Sequence, residues 1–305
     1  MLMKKLYRRI KKKVIIMKNI PADIPKDKQE IYKNRYATIT KNTERLFIFA
    51  ADQKMEHLNK DFFGPNLPEE INKPEHVFSI AHKSPIGCFA THVGLIARYG
   101  SDYPNIPYIA KLDGKTNLNK GEPYSQQMWS VNDALSLNVS NLCGVGYTIF
   151  LGSDYERDML TEAATIVTNA HKNGLVAILW IYPRGKSVPD EYDPDVIAGA
   201  AGMAASLGAD FVKIQKPSGP ATHINQAVQA AGNTKVIVSG GAAQESQAFL
   251  QEVYSNIHDG NAAGGAIGRN IFQHTEPEAL KLATALSNII YQDCSLESAL
   301  KIIKQ

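Results

Sequence analysis

Short apolar runs alternate with longer amphipathic stretches from residue 46 to residue 267. Eight runs have the length and composition of buried strands: Leu46–Ala51, Ile86–Thr91, Pro107–Leu112, Val145–Phe150, Leu175–Ile181, Asp210–Ile214, Lys235–Ser239 and Gly264–Ile267. The stretches between them carry the helical period. In Asp154–Asn173, residues Tyr155, Met159, Ala163, Ile166 and Ala170 recur at that spacing. Ser153 or Asp154 is placed to cap the start of this helix and Gly174 to end it. Pro194–Leu207, Gly219–Ala231, Glu245–Ile257 and Glu276–Tyr291 follow the same pattern, and Leu296–Ile303 predicts a short closing helix.

Eight strand–helix units in about 260 residues predict an α/β fold, a single-domain (β/α)8 TIM barrel. The rival is an open doubly wound sheet, which usually carries a G-x-G-x-x-G turn after its first strand. Here the first strand runs into Ala51-Asp52-Gln53-Lys54-Met55-Glu56-His57, without a glycine. The barrel is expected to span residues 45–305. Residues 21–44, polar and holding Pro21 and Pro25, read as an N-terminal cap segment.

Composition adds one correction. The chain of 305 residues has a formal charge of +3, but eight of its basic side chains and none of its acids lie in residues 1–20. The remainder carries a charge of −5, so the basic balance belongs to the tail. That tail lacks the apolar core and cleavage site of a secretory signal. It reads as disordered and solvated, or as an extension ahead of a start at Met17; nucleic-acid or membrane binding by it is not expected. No apolar stretch is long enough to cross a bilayer as a helix. Cys88, Cys143 and Cys294 are widely spaced and odd in number, which fits a reducing compartment and a cytoplasmic location. No His/Cys cluster has zinc-ligand spacing, so no metal is expected.

The chemistry starts at Lys213, a charged residue in the apolar run of strand six. Burial lowers a lysine's pKa, and a neutral amine attacks carbonyls. The alternative is a lysine whose stem is buried and whose head reaches water. Other strands also end in polar residues: Asp52 after strand one, Lys111 and Asp113 at strand three, and Trp180, Tyr182 and Arg184 at strand five. Strand seven runs into Ser239-Gly240-Gly241 and strand eight into Gly268-Arg269-Asn270. Glycine turns after the last two strands of a barrel often hold phosphate, and a guanidinium suits phosphate oxygens. Taken singly, each residue has an ordinary structural role open to it. Gathered at one barrel mouth, they fit Schiff-base chemistry on a sugar phosphate.

Trp180-Ile181-Tyr182-Pro183-Arg184-Gly185, Gly208-Ala209-Asp210-Phe211-Val212-Lys213, Val238-Ser239-Gly240-Gly241 and Ala266-Ile267-Gly268-Arg269-Asn270 resemble archaeal-type class I fructose-bisphosphate aldolases, the DhnA-like branch of the Schiff-base aldolases. The resemblance runs from about Leu46 to Tyr291. It implies a metal-independent lyase of glycolysis and gluconeogenesis, without a cofactor, that cleaves fructose 1,6-bisphosphate to dihydroxyacetone phosphate and glyceraldehyde 3-phosphate. It also implies a homo-oligomer. Lys213 matches the Schiff-base lysine, Tyr182 the proton-handling tyrosine and Asp52 the aspartate that holds substrate hydroxyls. Trp180 and Arg184 match substrate-site residues, and Ser239, Gly240, Gly241, Gly268 and Arg269 match the phosphate cradle. Cationic neighbours are expected to lower the energy of the Tyr182 phenolate. One departure stands out: the family usually follows the first-strand aspartate with His-Gly, where this chain has Gln53-Lys54 and then Glu56-His57. That departure keeps open a related Schiff-base barrel carrying out a transaldol or transketo-type transfer toward aromatic amino-acid precursors. Since a fold alone does not establish activity, a non-catalytic sugar-phosphate binding barrel is a second alternative.

Overall fold

A computed structural model describes residues 20–304, so most of the basic tail lies outside the described residues. Eight parallel strands close into a barrel: β1 Leu46–Ala50, β2 Cys88–His92, β3 Tyr108–Lys111, β4 Leu142–Leu151, β5 Val176–Pro183, β6 Phe211–Ile214, β7 Lys235–Ser239 and β8 Gly264–Ile267. Each strand pairs with its neighbours in chain order, and β8 returns to β1 with Leu46 opposite Gly264. Helices cover the outside. A minor antiparallel pair, Asp113–Gly114 with Gln126–Gln127, folds over the mouth after β3.

All eight expected strands are present; β7 and β8 have the expected ends and the others are shifted. β4 begins three residues earlier than expected, and β5 runs two residues further, so Tyr182 belongs to the strand itself. The long helix is Glu156–Lys172. Neither Ser153 nor Asp154 is its N-cap: that position is Tyr155, and Ser153 Oγ instead accepts the Tyr155 N–H at 3.2 Å. The expected Gly219–Ala231 helix is a short 3-10 turn, Ala221–His223, followed by Ile224–Ala231.

The period of two within each strand sorts the side chains. In β6, Val212 and Ile214 pack outward against the helices, while Phe211 and Lys213 face the barrel interior. In β5, Ile178 and Trp180 lie inward, beside Phe211 and Lys213 in register. The N-terminal helix Gln29–Thr40 plugs the opposite end: Tyr36 stacks on Phe211 at 5.5 Å between ring centroids, and Tyr32 and Ile39 are fully buried. The interior core therefore runs from this plug up to Trp180, the floor of the cavity at the mouth.

Candidate active site

The C-terminal ends of the strands surround a polar cavity of about 140 Å³. Asp52, Trp180, Tyr182, Arg184, Lys213, Ser239, Gly240, Gly241, Gly268 and Arg269 all line it, so the ten residues singled out from the sequence share one site. Strand register brings them together. Trp180 sits opposite Lys213 across the β5–β6 ladder, and Tyr182 follows two residues on along the same face.

Lys213 is 6% exposed, with Nζ 5.6 Å from the Trp180 ring centroid and 6.0 Å from that of Tyr182. Burial pulls its pKa below the ordinary lysine value. Asp52 and Glu56 oppose that shift, and Arg184 and Arg269 reinforce it. Its partnering differs from that of the other cations around the cavity. Lys111 Nζ is 2.6 Å from Asp113 Oδ1, Lys115 is 3.1 Å from Glu56, Arg184 Nε is 2.8 Å from Glu191 and Arg269 Nε is 3.8 Å from Asp61. Among the described residues, Lys213 has no ion-pair or hydrogen-bond partner. Structural lysines are held by such partners, and this one is left unheld in a desolvated place.

Asp52 lies two residues past the end of β1, at the start of the short helix Gln53–Glu56, yet its side chain does not cap that helix. Burial would raise its pKa, but Lys213, Lys111 and His92 outweigh that effect and hold the carboxyl below the usual range. Tyr182 goes the other way. Burial raises its phenol well above the ordinary value, with Asp52 and Glu56 adding to the rise and Arg184 and Lys111 opposing it. The Arg184 guanidinium lies 4.7 Å from the Tyr182 ring centroid. The neighbouring cations do favour the phenolate, as expected, but desolvation outweighs them, and Tyr182 is a neutral acid in the free protein.

Lys111 gains a definite place. Its ammonium donates to Asp113 and to Thr148 Oγ1, both at 2.6 Å, and lies 5.1 Å from the Trp180 ring centroid. Asp113 in turn accepts from Ser125 Oγ. The indole of Trp180 thus lies within reach of both lysines. Its buried Nε1–H has no hydrogen-bond partner among the described residues. A side chain on Gly146 would collide with that indole, 2.3 Å from its nearest atom, which explains the glycine in β4.

At the β7 and β8 turns, Arg269 Nη2 donates to the Gly241 carbonyl at 2.9 Å, and Asn270 Nδ2 donates to Gly240 and Ala242 carbonyls at 2.8 and 2.9 Å. These bonds tie the two turns together. Gly268 is required by close approach: a Cβ there would stand 2.5 Å from both the Ala50 carbonyl and Gln53 Nε2. Gln53, one of the departures from the family pattern, therefore packs against the turn. Lys54 points elsewhere, donating to the Asn72 carbonyl at 2.9 Å and lying 4.4 Å from the Phe62 ring centroid. Sequence reasoning missed His92, Glu56 and Lys115 as lining residues. His92 ends β2 where every other inward position is apolar, and that was the readable signal.

Among the described residues, no group of three or more His, Cys, Asp or Glu is arranged to hold a metal ion, and no helix is long and apolar enough to cross a membrane.

Comparison with known proteins identifies the family. Residues 46–274 match the DeoC/LacD family aldolase domain. The chain is 46% identical, over 97% of both sequences, to a Methanocaldococcus jannaschii protein named fructose-bisphosphate aldolase/6-deoxy-5-ketofructose 1-phosphate synthase. It is 35% identical to the class 1 fructose-bisphosphate aldolase of Thermoproteus tenax, over 87% of this chain and all of that one. Among solved structures, the fructose-bisphosphate aldolase from Slackia heliotrinireducens matches with a TM-score of 0.92 at 44% identity, covering 94% of this chain and 93% of the other. An archaeal fructose-1,6-bisphosphate aldolase with its catalytic lysine covalently bound to the carbinolamine intermediate matches with a TM-score of 0.76 at 34% identity, covering 85% and 99%. The chain belongs to the DeoC/LacD family of aldolases and, within it, to the archaeal-type class I fructose-bisphosphate aldolases.

Proposed function

We infer that the protein is a class I aldolase that reversibly cleaves fructose 1,6-bisphosphate to dihydroxyacetone phosphate and glyceraldehyde 3-phosphate. The observation that carries this reading is Lys213: a buried amine, unpartnered among the described residues and shifted toward its neutral form, at the mouth of a barrel. Its Nζ attacks the C2 carbonyl of the open-chain ketose, and loss of water gives a protonated imine. Asp52 takes the C4 hydroxyl proton as the iminium draws the C3–C4 electron pair, so C4 leaves as the aldehyde and the carbanion left at C3 is stabilised as an enamine. Once C3 is protonated, water hydrolyses the iminium and frees Lys213. No step falls to a metal. Asp52, held anionic by the surrounding cations, accepts a hydrogen bond from a substrate hydroxyl and faces the iminium. Tyr182, kept protonated by burial, returns a proton to the enamine carbon; general acid–base catalysis of this kind contributes about 10²–10⁴-fold. Trp180 Nε1 is left to donate to a substrate oxygen. Ser239, Gly240, Gly241, Gly268 and Arg269 hold a phosphate, whose binding energy fixes the sugar for reaction. The homo-oligomeric state is carried over from the family resemblance.

Incubation with fructose 1,6-bisphosphate and borohydride, followed by peptide mapping, is expected to place a reduced adduct on Lys213, and Lys213→Ala is expected to abolish both adduct and cleavage. An adduct elsewhere, or an active Lys213→Ala protein, sinks the assignment.

The 46% identical Methanocaldococcus relative, whose name carries two activities, favours a second reading alongside the first. The enamine formed at Lys213 carries the three carbons of dihydroxyacetone phosphate. Attack on a 2-oxoaldehyde of three carbons, in place of glyceraldehyde 3-phosphate, yields 6-deoxy-5-ketofructose 1-phosphate with atoms balanced. Supplying methylglyoxal with fructose 1,6-bisphosphate is expected to give this product. Triose phosphates as the only products would leave cleavage alone.

A further inference from the structure

The loop after β1 is fastened to the turn after β8 at several points. Gln53 packs on Gly268, and Phe62 stacks on Phe272 with ring centroids 4.8 Å apart. Gln273 Nε2 donates to the Asp61 carbonyl at 2.8 Å. The Asp61 carboxylate faces Arg269 Nε at 3.8 Å and also binds His57 Nδ1. This side chain is only 8% exposed, and a carboxylate in such a place needs charged or hydrogen-bonding partners. Both of its partners line the cavity, and Arg269 also donates to the Gly241 carbonyl. With Nδ1 occupied by Asp61, Nε2 is the ring nitrogen of His57 left for a ligand. As imidazolium the ring donates from both nitrogens, one to Asp61 and one to a phosphate oxygen. One buried carboxylate thus holds an imidazole and a guanidinium that line the same cavity as the glycine turns.

The geometry points to His57 as a further contact to the substrate phosphate, and to Asp61 as the positioning residue for both His57 and Arg269. This inference rests on the sugar-phosphate reading and deepens it. It also gives the unusual segment after Asp52 a function: the histidine enters the site from five residues further along the chain, pinned by a carboxylate four residues beyond it.

The test uses the full chain and three variants, His57→Gln, Asp61→Asn and Asp61→Glu. Calorimetry with inorganic phosphate reads the contact directly, whether or not the parent turns over. Loss of one charge-assisted hydrogen bond is expected to weaken phosphate binding about tenfold and to raise KM for fructose 1,6-bisphosphate by a similar factor, with a smaller fall in kcat. Asp61→Asn is expected to match or exceed the effect of His57→Gln, and Asp61→Glu to recover part of it. Borohydride trapping of dihydroxyacetone, which has no phosphate, should suffer far less than trapping of its phosphate ester. Phosphate binding within twofold of the parent in His57→Gln overturns the inference, as does an equal loss for the phosphate-free ketone. A parent that binds phosphate but traps no ketose fails the aldolase reading and leaves this contact standing.

Discussion

At the scale of single residues, the site works by withholding a partner. Lys111 and Lys213 are both buried and both near Trp180, yet only Lys111 is held by a carboxylate and a hydroxyl. A buried amine without a partner gives up its proton more easily, because desolvation penalises only the charged form. The pH dependence follows with a definite sign. Imine formation needs the free amine, and burial depresses the Lys213 pKa, so the rate of borohydride trapping is expected to rise with pH about a midpoint below 10.5. The Asp52 charge raises that pKa. Removing it in Asp52→Asn is therefore expected to move the midpoint to lower pH, even as turnover falls. A midpoint that stays put or moves up contradicts the electrostatic coupling between these two residues. Trapping with dihydroxyacetone phosphate at a series of pH values measures it.

At the scale of elements, legibility follows the physics of burial. Strands enclosed by helices outside and by packed side chains within must be apolar along their length, so β1, β6 and β7 stand out in the sequence nearly to the residue. The same rule exposed Lys213, since one charge in a run such as Phe211–Ile214 breaks the pattern. The glycine turns after β7 and β8 stood out only jointly: Ser239-Gly240-Gly241 and Gly268-Arg269 each have an ordinary use at a strand end, and their gathering at one mouth is what suggested a phosphate. Loops carry no such constraint. Glu56, His57, Asp61 and Lys115 are polar residues in polar segments, and only folding shows that Lys115 reaches Glu56 while Lys54 turns away to Asn72. The minor strand pair that brings Asp113 and Ser125 together was invisible as well, because two-residue strands leave no periodic trace. Tyr182 shows a different limit. Its position was readable, but its acidity depends on the balance between burial and four neighbouring charges.

At the scale of the whole molecule, the barrel keeps chemistry and anchoring at opposite ends. The mouth holds Lys213, unpaired among the described residues. The far end holds a buried polar knot in which His171 Nδ1 meets Asp23 at 2.8 Å, His171 Nε2 meets Asp210 at 3.2 Å, and Tyr32 donates to the same Asp210. Tyr32 lies on the plugging helix, His171 near the end of Glu156–Lys172 and Asp210 at the foot of β6, so the knot joins the plug to the barrel wall. Burial works against a charged His171, but the two carboxylates outweigh it and push its pKa from 6.5 up to about 9. A raised folded-state pKa means that the folded protein holds the proton more tightly than the unfolded chain. The stabilisation is complete below pH 6.5 and is lost as pH rises through about 9, amounting to roughly 3 kcal/mol at most by linkage. Denaturant unfolding from pH 6 to pH 10 is expected to show this loss, and His171→Gln is expected to flatten the profile over that range. Because Phe211, Ile178 and Trp180 separate the knot from the cavity, the same variant is expected to keep kcat/KM within about twofold at pH 7 while its unfolding midpoint falls. A His171→Gln protein that stays stable but loses turnover would show that the two ends of the barrel are coupled through its core.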